Sequence, residues 1–200
     1  ERNPDSTTLR LTYARALVSA QRFEDARTQF KHLLAANPED AELLYAVGLL
    51  SMQLNDSQTA EAHYLKALEV GYAQPDLIRL QLGQLAERRG EGTLARKWFS
   101  EVRDEQHQAE AMIRSAHSIA AEGRIDEARA LLKAQDGDAA LKQHYLMAEA
   151  QLLREADRSA EALAVLEQAL RAAPDDSDLL YETAMLAERL NDLELMESRL

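Results

Sequence analysis

An all-α chain of stacked helix–turn–helix units is expected here. The grounds are an Ala- and Leu-rich composition, an internal period near 34 residues, and apolar residues spaced by three and four within each period. Val, Ile and Thr are sparse, which favours helix over sheet. A hydrophobic content of 46% suits a folded chain. The 200 residues carry 23 Lys+Arg against 35 Asp+Glu, a net charge of −12, and this balance argues against nucleic acid or an anionic membrane surface as partner. Cysteine is absent, so neither a disulfide framework nor a thiolate metal site can form. No apolar stretch approaches the roughly 20 residues that span a bilayer. The chain opens on Glu1 without a targeting segment and is read as a piece of a longer protein.

The period is carried by three series. Small residues recur at Ala26, Ala60, Ala95, Ala128 and Ala162, with Met196 continuing them, at spacings of 34, 35, 33, 34 and 34. Four positions later stands a large apolar residue: Phe30, Tyr64, Phe99, Leu132, Leu166 and Leu200. Twelve positions before the small residue stands another small one: Ala14, Gly48, Gly83, Ala116, Ala150 and Ala184. Small residues mark places where two helix axes cross closely. Breakers or polar pairs at Gln21-Arg22, Asn55-Asp56, Arg89-Gly90, Glu122-Gly123 and Asn191-Asp192 predict turns within units. Links between units are predicted at Asn37-Pro38-Glu39-Asp40 and Pro174-Asp175-Asp176-Ser177, where Pro stops one helix and acids favour the start of the next. Six units follow, at approximately 7–40, 41–75, 76–108, 109–142, 143–176 and 177–200, the last cut short, in a single solenoid. The odd spacings predict irregular junctions near Gly71–Pro75 and Gln135–Asp138.

These positions resemble the tetratricopeptide repeat (TPR) family. Repeat two carries Leu44, Gly48, Ala60, Tyr64 and Ala67, and repeat one carries Ala26, Phe30 and Pro38. The resemblance implies a right-handed α-solenoid. It also implies that positions four, seven, eight and eleven of each first helix pack inside, while positions two, five, nine and twelve line a concave protein-binding groove.

Catalytic and metal constellations are absent from the pattern. Gly90-Glu91-Gly92 with Arg96 and Lys97 falls in a turn between helices, not after a strand as a phosphate loop requires. Asp136-Gly137-Asp138 is too short for a calcium loop and reads as a connector. No two of His32, His63, His107, His117 and His144 stand four apart. The chain is therefore expected to be no enzyme, with no metal and no cofactor.

Transferring the groove register selects Leu11 and Arg15 in unit one, then Tyr45, Leu49 and Met52 in unit two, and Leu80 and Gln84 in unit three. Units four to six contribute Ile113 and His117, Met147 and Gln151, and Tyr181 and Met185. Position five is apolar or Tyr in every unit, which solvent exposure alone does not require and a protein-binding groove does. The Lys and Asn of the clamp with which some TPR domains grip chaperone tails have no counterpart here, so an apolar partner segment, helical or extended, is expected. Trp98 has two readings, a cover over an irregular junction or an anchor on the convex side.

The closing stretch from Leu180 to Glu197 resembles TPR lipoproteins of the Gram-negative envelope that act as adaptors. That resemblance implies a non-enzymatic scaffold on the periplasmic side of the outer membrane. Its partners would be a carboxyl-terminal processing protease and the cell-wall hydrolases it degrades, with no nucleic acid and no direct membrane insertion by this segment. Three alternatives stay open: the substrate-recruiting arm of an enzyme whose catalytic domain lies elsewhere, an assembly factor for a secretion or pilus machine, and a cytoplasmic location.

Overall fold

The computed structural model describes residues 4–199, so Glu1 and Leu200 lie outside the described residues. Those residues form helices joined by turns and contain no strand. They divide into two compact bodies that meet in the chain between Glu91 and Gly92. The first holds α1 (Pro4–Ser19), α2 (Phe23–Ala36), α3 (Ala41–Gln53), α4 (Ser57–Glu69) and α5 (Pro75–Arg88). The second holds α6 (Gly92–Ser100), α7 (Glu105–Ala121), α8 (Ile125–Lys133), α9 (Ala139–Glu155), α10 (Ser159–Ala172), α11 (Ser177–Arg189) and α12 (Leu193–Arg199).

Local chemistry explains the helix ends. After each odd-numbered helix one residue takes the left-handed conformation: Gln21, Asn55, Gly90, Gly123, Asp157 or Asn191, with φ between 57° and 81°. The following N–H then reaches back to a carbonyl of the last turn, as Asp56 N does to Ser51 O at 2.8 Å and Asp192 N to Ala187 O at 2.9 Å. The Asp157 turn has no glycine or asparagine to announce it, and the sequence pattern passes over it. Helix starts are held by aspartates: Asp40, Asp56, Asp104, Asp138 and Asp176 each accept a backbone N–H of the first turn. Pro75 opens α5 instead, where its missing N–H removes no helical bond.

Within each body every helix packs against its neighbours in the chain, and α7 also touches α9. Among α3, α5, α7, α9 and α11, positions seven, eight and eleven are buried throughout, as with Val47, Gly48 and Ser51 or Glu149, Ala150 and Leu153. Position ten is buried as well, at Leu50, Leu85, Ser118, Leu152 and Leu186, which the sequence register did not include. These helices therefore bury two adjoining stripes, because each has neighbours on two sides. In α1 the equivalents of positions seven and ten, Tyr13 and Ala16, are exposed, while Ala14 and Leu17 stay buried.

The spacing between paired helices follows from the small residues. Ala26, Ala60, Ala95, Ala128 and Ala162 are wholly buried. A Cβ at Gly48 would stand 2.6 Å from Tyr64 Cε1 and 2.7 Å from Cδ1, so α3 approaches the ring more closely than any side chain allows. Tyr64 is fully buried and its hydroxyl has no hydrogen-bond partner. Replacing Gly48 by Ala gains about 1 kcal/mol of helix propensity but overpacks the ring by more, so a net loss of about 1–2 kcal/mol is expected in urea unfolding. Tyr64→Phe removes an unsatisfied buried hydroxyl and should hold or raise stability by about 1 kcal/mol in the same assay.

Candidate functional site

The predicted groove stripe is largely solvent-accessible. Arg15, Leu49, Gln151, Tyr181 and Met185 are exposed, while Leu11, Tyr45, Met52, Gln84, Ile113, His117 and Met147 are half-buried. Leu80 differs: at 3% exposure it is a core residue and offers no contact surface as the protein stands. In the first body Tyr45 stacks on Tyr72, with ring centroids 4.7 Å apart, and tilts against Tyr64 at 6.0 Å. Burial pushes the phenols of Tyr64 and Tyr45 up, and carries Tyr72 to about 12, so all three stay neutral at physiological pH. Tyr45 is thus held rigidly by aromatic neighbours with its remaining surface toward solvent.

In the second body the stripe forms a concavity of about 260 Å³. Ile113 from α7, His144, Met147, Gln151 and Arg154 from α9, and Glu182 and Leu186 from α11 line it. Arg154 bonds Glu182 across it. A second hollow beside it shares His144 and Met147 and runs to Asp176 and Asp178. The floor is apolar and the rim carries both signs of charge, an arrangement suited to holding a chain segment. Among the described residues no group of three His, Asp or Glu could hold a metal ion. No helix among them is long and apolar enough to cross a membrane.

A second feature has no counterpart in the sequence register: arginines that tie one unit to the next. Arg27 bonds Asp56 at 2.8 Å, Arg89 bonds Glu61 at 2.6 Å, Arg96 bonds Glu122 at 2.7 Å, and Arg158 bonds Asp126 at 2.8 Å. In the second body Arg129 bridges Glu149, 1% exposed, at 2.9 Å and Glu161 at 2.8 Å. The sequence signal is an Arg directly after the small residue in three units, at Arg27, Arg96 and Arg129.

A tetratricopeptide repeat family model matches residues 11–77, 52–110 and 147–195, and the chain belongs to that family. It is 31% identical over 128 residues to the TPR repeat-containing protein PA4667 of Pseudomonas aeruginosa, covering 62% of this chain. The chain spans only 21% of that relative. Its fold is similar to that of PilW, a widely conserved type IV pilus biogenesis factor, with a TM-score of 0.66 and 16% identity over 99% of this chain and 91% of PilW. It is also similar to YrrB, a TPR protein with an unusual peptide-binding site, at a TM-score of 0.59 and 20% identity, covering 92% of this chain and 91% of YrrB. At such identities both likenesses concern the fold alone.

The ion pairs imply a definite response to acid. Hydrogen bonds from Arg89, Arg96 and Arg158 hold Glu61, Glu122 and Asp126 below their ordinary values, as a bond from Arg158 does for Glu161. Groups lowered on folding stabilise the protein above their unfolded values and cease to do so as pH falls through the folded ones. Burial lowers His117 as well, against the opposing effect of Glu155. Thermal stability should therefore fall gently below pH 6.5, the ordinary value for His117, and further below the carboxylate values of 3.8 and 4.5. His117→Gln should remove the gentle limb only.

Proposed function

We propose that this chain is a non-enzymatic protein–protein interaction scaffold that holds partner segments on the exposed stripe of its first helices. One observation carries this reading: stripe residues from α7 and α9, with Glu182 and Leu186 of α11, line a single concavity with an apolar floor and a charged rim. Tyr181 and Met185 stand 57% and 47% exposed on the same helix as Leu186, large apolar side chains with no folding reason to face water. Met adapts its shape to irregular partners and Tyr offers broad contact with a polar tip. Membership of the TPR family supports the same reading.

The finer proposal is an envelope adaptor that presents cell-wall hydrolases to a carboxyl-terminal processing protease on the periplasmic side of the outer membrane. The stretch from Leu180 to Glu197 and the relationship to a Pseudomonas TPR protein support it. Ile113→Glu, Met147→Glu and Tyr181→Ser together should reduce capture of such a protease or hydrolase by the full-length protein at least about tenfold. Helical circular dichroism should change little while the melting temperature falls by several degrees, since Tyr181 is exposed but Ile113 and Met147 are half-buried against the core. Undiminished capture by the folded variant would overturn the groove assignment. A catalytic domain fused in the full-length protein would overturn the adaptor reading and favour a recruiting arm.

A further inference from the structure

The second body has another recess, on the side of α9 turned away from Met147 and Gln151. It encloses about 350 Å³ between the end of α8, the first turns of α9 and the last turn of α10. Its origin lies in helix lengths. Helix α8 has 9 residues where α10 has 14, so it stops about 7.5 Å short at a rise of 1.5 Å per residue. The chain then crosses to α9 through 134–138, and the volume a longer α8 would fill stays open.

The walls are mostly apolar, formed by Leu132, Tyr145, Leu146 and Ala172. Tyr145 is 6% exposed, and its hydroxyl makes no hydrogen bond among the described residues. The small part of Tyr145 left exposed includes its hydroxyl, which meets solvent and can exchange that water for a ligand acceptor. Lys133 and Lys142, two of the five lysines in the chain, border the recess with side chains more than half exposed. The one carboxylate among the lining residues, Glu149, is already met by Arg129 Nε at 2.9 Å as well as by Lys133 Nζ at 3.1 Å. Among the described residues Lys142 pairs with Asp136 alone, a fully solvated carboxylate at 3.1 Å, and such a contact yields readily. In a chain of net charge −12, a recess lined by two ammonium groups and one carboxylate, with Arg129 also meeting that carboxylate from outside the lining, is a local exception.

We propose that this recess binds a small amphiphilic carboxylate. Its apolar tail lies against Leu132, Leu146 and Ala172, its carboxylate lies between Lys133 and Lys142, and the Tyr145 hydroxyl supplies a further donor. The volume falls in the range of small-ligand sites. The site is separate from the partner-binding stripe and stands or falls independently of it.

Octanoate is a suitable probe, with octanol and acetate as controls, followed by amide chemical shifts of the 15N-labelled 200-residue chain. Octanoate should saturate with a Kd of about 0.1–1 mM and shift residues at the α8 end, the α9 start and the α10 end. Octanol and acetate should each bind at least about fivefold more weakly, one lacking the charge and the other the tail. Ala172→Phe, a change at an exposed helix end that fills the recess, should weaken octanoate about tenfold. Lys133→Gln with Lys142→Gln should abolish the preference for octanoate over octanol. Equal binding of octanol and octanoate by the unaltered protein overturns the carboxylate assignment. Shifts centred elsewhere, unweakened binding to the Ala172→Phe variant, or no saturation by about 10 mM overturns the site.

Discussion

The contact between Gly48 and the ring of Tyr64 sets the distance at which a paired helix can lie. Because the ring occupies the place of a Cβ, α3 and α4 approach closely enough for Val47 and Ser51 to be buried on one side and Leu50 on the other. The same economy of side chain recurs in other units: Ala14, Ala116, Ala150 and Ala184 occupy the position of Gly48 and are buried. Side-chain volume at these few places thus determines helix spacing, and helix spacing determines which residues remain outside. The binding stripe is the part of the first helix that close packing leaves over.

That dependence explains what could be read from the amino-acid sequence. Volume repeats in a linear chain, so the series from Ala26 to Ala162 and the ring residues Phe30, Tyr64 and Phe99 locate the paired helices directly. The stripe follows by subtraction, and Ile113, Met147, Gln151, Tyr181 and Met185 all reach solvent or the concavity. Leu80 escapes the subtraction because a leucine serves equally well in a core and in a groove. Position ten was invisible for a related reason: burial there comes from a second neighbour, and a period within one helix cannot report how many neighbours it has. The recess beside α8 was equally hidden, since it arises from the length of a helix and not from the residues lining it.

The charged groups divide by the same logic. Acids at helix starts, such as Asp40 and Asp176, satisfy backbone N–H groups and belong to the fold. Arg27, Arg89, Arg96 and Arg158 join units and add direction to contacts that apolar packing leaves unspecific. Glu149 is the costliest member, a carboxylate at a core position, and its burial is tolerable because Arg129 and Lys133 both meet it.

The turns and the links differ in how far their geometry is fixed. Every odd-numbered helix is followed by three residues that close in one left-handed geometry, whether the residue is Gln21, Asn55, Gly123 or Asp157. The links after even-numbered helices vary: α8 yields early and α9 begins early, while α10 runs its full length. Within this chain the turn is thus the constant element and the link the variable one, so a shift of a helix end at a link alters the surface while the turn geometry stays the same. The recess beside α8 is the example: the position of a helix end opened it, with no departure from the turn geometry.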